Sequence, residues 1–344
     1  MNFYDLEIAP IQNEIMSYID SRRFNEILEI YQSKYFLDEY LECLKKYCKG
    51  GKCIRAYLVG LGYRISSHIE NKIDIESAIA YELFEAGILA HDDIIDRSPV
   101  RRSIPSMYVA LGNDHLGLSR GICVGDIGIL MSNAFIENSS FPESIRLKAI
   151  KHQNVIFSHT ISGELLDIDL SNSKIYSEND VIEMYKLKTS LYTIAGPLML
   201  GAILADSSSQ NLNFLHEFGI NLGIAFQIKD DIIGIFGDED KIGKSITSDV
   251  EEGKKSILTA YFDRNSTASI KKEFYSIYGN PNIKKSDMDL IRKYLIESNA
   301  LNYANEQIQN YSNNALSIIE SYDISEEKKQ LLRGFCSYIT QREK

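Results

Sequence analysis

IAYELFEAGILAHDDIIDRSPVRR, residues 79–102, is apolar and free of proline up to Ala90, then turns abruptly acidic. Its first half reads as a helix buried on most faces. Asp92, Asp93 and Asp96 close that helix, and Ser98 and Pro99 stop it ahead of Arg101 and Arg102. At about 3.6 residues per turn, Asp92 and Asp96 share a face and Asp93 lies about 100° around from Asp92. Carboxylates held a turn apart at the end of an apolar helix are costly unless a cation compensates them.

A second acidic helix end strengthens this reading. FQIKDDIIGIFGD, residues 226–238, follows the apolar run from Leu212 to Ile228 and carries Asp230 and Asp231, with Asp238 beyond Gly234 and Gly237. Two such clusters, each trailed by lysines or arginines, describe a metal site with a polyanion between them. Oxygen ligands of this type suit magnesium, which shares its shell among one or two carboxylates, waters and phosphate oxygens.

The 344 residues are 44% hydrophobic and 25% charged, a globular composition. Six prolines and the lack of periodic valine and threonine runs argue against an all-β chain. With 37 basic and 48 acidic side chains the formal charge is -11, which disfavours a nucleic-acid partner. Five cysteines without CxxC spacing or histidine partners read as reduced thiols, pointing to the cytoplasm. The N-terminal MNFYDLEIAP does not resemble a signal peptide, and the apolar run Leu191–Ala205 contains Pro197 and reads as too short to span a bilayer.

Outward from the central stretch, helices are expected over residues 5–48, from Lys52 through Tyr63, across Gly121–Ile136 and across Glu143–Asp169. Gly50 and Gly51, followed by Lys52 and Arg55, leave backbone N–H groups and two cations where an anion could sit. Ser177 with Asp180 marks the start of a helix that carries Lys188, Thr189 and Tyr192 within about one turn. The polar, glycine-punctuated segment after Asp231 reads as a mobile loop bearing Lys244, Asp249, Lys254 and Lys255, of the kind that orders over a phosphorylated ligand. Four more helices are expected after Ile257, and no linker divides the chain, so residues 1–344 read as one all-α domain of ten or more helices.

These motifs, in this order, resemble the trans-isoprenyl diphosphate synthases of the polyprenyl synthetase family over essentially the whole chain. Asp92, Asp93, Asp96, Arg101 and Arg102 are similar to the first aspartate-rich motif, and Phe226, Gln227, Asp230 and Asp231 to the second. Gly50, Gly51, Lys52 and Arg55 resemble the GGKxxR motif. The resemblance implies a single helical bundle around a deep cavity, a homodimer, and condensation of isopentenyl diphosphate with an allylic diphosphate. Three magnesium ions are implied on Asp92, Asp93, Asp96, Asp230 and Asp231. Arg101, Lys188, Lys244 and Lys254 are implied on the allylic diphosphate, Thr189 and Gln227 beside the carbocation, and Gly51, Lys52, Arg55, Glu85 and Arg102 on isopentenyl diphosphate.

The sequence also departs from the family pattern. Glu85 stands where histidine or glutamine is usual, Gly234 replaces the third aspartate of the second motif, Glu164 the glutamine of GQxxD, and Ser103 a glycine. By the resemblance, bulky aromatics five or four residues before the first aspartate close the cavity at farnesyl length. Gly87 and Ile88 stand there, so an open floor and a longer product, geranylgeranyl diphosphate, are expected. The alternatives are a farnesyl or longer-chain synthase, a terpene cyclase, and a non-catalytic subunit.

Overall fold

The computed structural model describes residues 2–31, 33, 35, 38–67, 74–237 and 247–341. The chain is all-α, and it divides into two compact units, Met1–Asn154 with Gly196–Leu215, and Val155–Ala195 with His216–Lys344.

In the first unit, α1 (Ala9–Ile19), α2 (Arg22–Tyr31), α3 (Asp38–Lys49) and α4 (Ile54–Ser66) lead to α5 (Ile75–Ile95). Asp74 caps α5 by accepting from the Ser77 N–H at 2.9 Å. The helix buries Ile79, Tyr81, Leu83, Phe84 and Ala90, each large apolar side chain contributing about 1.5–3 kcal/mol. A two-stranded hairpin, β1 (Val100–Arg101) with β2 (Ile104–Pro105), then α6 (Met107–Ala110), α7 (His115–Glu137) and the first part of α8 (Glu143–Asn172) follow.

α5 packs chiefly against α7 through small residues. A Cβ added to Gly87 would lie 2.6 Å from the Gly125 carbonyl oxygen and 2.9 Å from the Ile129 nitrogen. This corrects the expectation of an open floor at Gly87: the missing side chain is filled by the backbone of α7. Ile88 is instead the half-exposed position of that turn, one turn before Asp92.

The segment after the first aspartates is a hairpin, Val100–Arg101 paired antiparallel with Ile104–Pro105. Arg102 and Ser103 form its two-residue turn with φ of 52° and 63°, the left-handed pair that suits Asn-Gly. Each non-glycine residue held there costs about 1–2 kcal/mol. We therefore expect Ser103→Gly to raise the unfolding free energy by about 1 kcal/mol, read from urea midpoints.

In the second unit α8 continues to Asn172, α9 (Glu178–Tyr185) follows, and Lys186–Ala195 winds as a π-helix. Ser177 and Asp180 form a reciprocal capping box at the start of α9, as the sequence indicates. The run then passes into α10 (Gly196–Leu204). Pro197 does not break it, because the wide π-helical turn before it relaxes the clash with the preceding carbonyls. The helical run Glu178–Leu204 is thus long and apolar enough to cross a membrane by length and composition, correcting the shorter reading, yet 72% of its most apolar window is buried.

α11 (Ser209–Phe236), α12 (Ser248–Glu251), α13 (Ile257–Asn265), α14 (Ala268–Phe274), α15 (Lys285–Glu297), α16 (Ala300–Ser321) and α17 (Glu326–Gln341) complete the chain. Among the described residues five helices lie from Ile257 on, where four are expected. Within this polar segment Ser248–Glu251 forms a short helix, and Lys255 is buried between the rings of Tyr176 and Tyr275, 5.3 and 5.0 Å from their centres.

Candidate active site

The first unit assembles one cluster around the end of α5. Arg101 donates to Asp92 Oδ2 at 2.7 Å and to Asp93 Oδ1 at 2.6 Å. Asp93 is fully buried, and its other oxygen accepts from the Tyr47 hydroxyl at 2.8 Å. Burial pushes its pKa up against the pull of Arg101. Asp92 and Asp96 are half-buried, a turn apart, and Asp96 ends α5 with its N–H on the Asp92 carbonyl at 2.8 Å.

The glycine pair serves this cluster differently from the sequence reading. The Gly50 N–H is consumed by the Lys46 carbonyl at 3.0 Å. A Cβ on Gly51 would lie 2.9 Å from Nη1 of Arg102, so the glycines make room for that guanidinium. Arg102 reaches the Tyr47 carbonyl at 3.2 Å and Glu85 at 2.7 Å. Arg55 meets the same Glu85 oxygen at 2.8 Å. Lys52 is half-buried on the same loop.

The second unit assembles the other cluster. Gly163 lets α8 lie directly on the backbone of Lys188. Glu164 and Asp167 then clamp the Lys188 ammonium at 2.8 and 2.6 Å, while Asp167 Oδ1 is buried without a hydrogen-bond partner. Thr189 donates to Gln227 Oε1 at 2.6 Å, and Gln227 Nε2 donates to Asp231 at 2.8 Å. Asp231 also accepts from the buried Tyr185 hydroxyl. Its pKa is pushed up to about 8, because burial and the neighbouring carboxylates of Asp249 and Asp230 outweigh the hydrogen bonds from Tyr185 and Gln227.

A Cβ on Gly234 would collide with Oδ2 of Asp249. Asp249, arriving from α12, thus places its carboxylate where the missing third aspartate would project. Lys254 lies 3.8 Å from Asp249 and 3.0 Å from Glu252. Lys244 and Asp238 fall outside the described residues. Sequence reasoning passed over Tyr47, Glu82, Tyr185 and Asp249 as site residues. A signal existed for two: Glu82 is an acidic residue inside an apolar run, and Asp249 is a carboxylate in a segment already assigned to phosphate.

The donor chemistry fits magnesium. Among the described residues no three His, Cys, Asp or Glu side chains converge; carboxylates a turn apart are what this ion takes when waters and phosphate oxygens complete its shell. Asp231, reluctant to ionise, and the orphaned oxygen of Asp167 are both groups that a nearby cation would satisfy.

Comparison with known proteins agrees with this geometry. The polyprenyl synthetase family model matches residues 38–295. The geranylgeranyl diphosphate synthase of Saccharolobus solfataricus is 30% identical, over 93% of this chain and 97% of its own. The geranylfarnesyl diphosphate synthase of Aeropyrum pernix is 29% identical over 86% and 91%. The crystal structure of a Corynebacterium glutamicum geranylgeranyl pyrophosphate synthase, complexed with isoprenyl diphosphate and magnesium, has a TM-score of 0.87 and 26% identity, covering 97% of this chain and 98% of that one. With two aspartate-rich helix ends, the first of them joined to Arg101, and a family match over most of its length, the chain belongs to the polyprenyl synthetase family as a trans-isoprenyl diphosphate synthase.

Proposed function

We propose that this prenyltransferase joins isopentenyl diphosphate head-to-tail to an allylic diphosphate, and that geranylgeranyl diphosphate is its main product. The observation that carries the reading is that cations are built in among the carboxylates, Arg101 on Asp92 and Asp93 at the end of α5 and Lys188 between Glu164 and Asp167 on α8. When bound, magnesium, three ions in this reading, supplies Lewis-acid stabilisation of the departing diphosphate.

Asp92 and Asp96 are the first-motif ligands in this proposal, with Asp93 positioning Arg101 rather than ligating. Asp230, Asp231 and Asp249 serve in the second cluster. Arg101, Lys188, Lys244 and Lys254 bind the allylic diphosphate and neutralise the charge it gains as the C–O bond breaks. The hydroxyl oxygen of Thr189 and the carbonyls of the π-helical turn orient negative dipoles toward the allylic cation, and Gln227 holds that hydroxyl. Lys52, Arg55 and Arg102 hold isopentenyl diphosphate so that its terminal carbon attacks; the double bond shifts and one proton leaves to the released diphosphate.

Chain length is assigned to Ile88, since Gly87 is occupied by α7. Ile88→Phe is expected to shift the product from twenty carbons toward fifteen with the fold retained, whereas Gly87→Phe should destabilise the α5–α7 packing by about 1–3 kcal/mol or more. Product mass and urea unfolding separate the two outcomes.

We further infer one catalytic domain, a homodimer and a cytoplasmic location. Exposed Ile122 and Leu130 on α7, and Val155, Ile161 and Leu165 on α8, support the dimer. All five cysteines are free thiols, as a reducing compartment requires. The reaction is tested by counting diphosphate released per isopentenyl diphosphate consumed, with farnesyl diphosphate as co-substrate. Equal amounts are expected; release without any isopentenyl diphosphate would mark a cyclase.

A further inference from the structure

Glu85 and Glu82 form a buried carboxyl pair one turn apart on α5, 6% and 2% exposed. A single oxygen of Glu85 receives both Arg55 and Arg102, at 2.8 and 2.7 Å. Glu82, one turn before Glu85, accepts from the Ala56 N–H at 3.0 Å. Burial and the charge of Glu85 push the pKa of Glu82 up to about 7. Burial would raise Glu85 as well, but Arg55 and Arg102 hold it below the usual carboxylate range. The other groups facing the pair are the thiols of Cys48 from α3 and Cys53 from the loop before α4, both kept neutral by burial. The phenol of Tyr81 faces Arg55.

In the resting protein, therefore, the two arginines assigned above to isopentenyl diphosphate already have a counter-ion. The geometry points to the Glu82–Glu85 pair as a proton-linked competitor for that site: when diphosphate takes Arg55 and Arg102, Glu85 releases them and the pair binds one proton from solvent. One O–H bond forms on the pair and one breaks in the buffer acid that supplies the proton, and the proton's charge offsets the guanidinium contacts that Glu85 gives up. Glu85 is thus a specificity-determining residue that sets the affinity for the homoallylic substrate and makes it fall as pH rises. The sign follows from linkage: the pair holds its protons more tightly in the complex than in the free protein, so binding weakens once pH exceeds the free pair's titration, in a window beginning near about pH 7. This inference rests on the proposed role of Arg55 and Arg102.

Calorimetric titration of the full-length protein with isopentenyl diphosphate, at about pH 7.5 in two buffers of different ionisation enthalpy, counts the protons exchanged. A thiolo analogue of the allylic diphosphate provides the reference for ionisation of diphosphate itself. Up to about one proton more should be taken up with isopentenyl diphosphate than with the reference, and Glu85→Gln should abolish the excess. In steady state, Glu85→Gln should lower the KM for isopentenyl diphosphate about tenfold at about pH 8 and flatten its rise with pH, leaving the allylic KM in place. No excess uptake by the wild-type protein, or an unchanged pH profile in the variant, overturns the proposal. Should Arg55→Lys and Arg102→Lys both leave the KM for isopentenyl diphosphate unaltered, the site assignment fails instead, and this inference with it.

Discussion

Asp92→Ala is expected to lower kcat by about a hundredfold or more while the protein remains folded. Asp92 is half-buried at the last turn of α5, a turn from Asp96, with one oxygen on Arg101 at 2.7 Å. Removing it takes away a carboxylate whose value is greatest when the diphosphate departs, an interaction that acts on kcat more than on KM. Arg101 keeps its second partner, Asp93, at 2.6 Å, so the local structure should survive. Single-turnover rates with unfolding curves check both halves of the prediction. Turnover within a few-fold of wild type would remove Asp92 from the ligand set.

Arg101→Ala should be the most damaging single change to stability, about 3–5 kcal/mol, because it leaves the fully buried Asp93 with only the Tyr47 hydroxyl. Activity should fall as well, through loss of a cation beside the diphosphate and loss of the group that orients Asp92. Combining it with Asp93→Asn separates the two effects. The double variant should recover much of the stability by neutralising the stranded carboxylate, yet remain inactive. Recovery of turnover along with stability would show that Arg101 is purely a structural counter-ion.

The sequence made the spine of the site legible because that spine is local. Asp92 and Asp96 are a turn apart on one helix, and Ser177 with Asp180 cap α9 as read. Gln227 and Asp231, also a turn apart, meet at 2.8 Å. What escaped depends on neighbours distant in sequence. Gly87 reads as empty space until α7 is seen against it. Gly234 reads as a lost ligand until Asp249 is seen over it. Lys255 reads as a solvated loop lysine, whereas Tyr176 and Tyr275 enclose it. The hairpin at Arg102 and Ser103 was hidden because two left-handed residues without glycine carry no turn signature. Glu85 stands out in the sequence only as a departure from the family's histidine or glutamine, and its partners Arg55 and Arg102 become visible only in the fold.

The measurement that bears most directly on the central claim is mass analysis of the products formed from isopentenyl diphosphate and a series of allylic diphosphates, with magnesium and again after chelation. The account predicts geranylgeranyl diphosphate as the main product from every shorter primer, and no elongation once the metal is removed. If no primer is extended by a five-carbon unit in the presence of magnesium, the two acidic clusters do not form a prenyl-condensing site and the account is wrong.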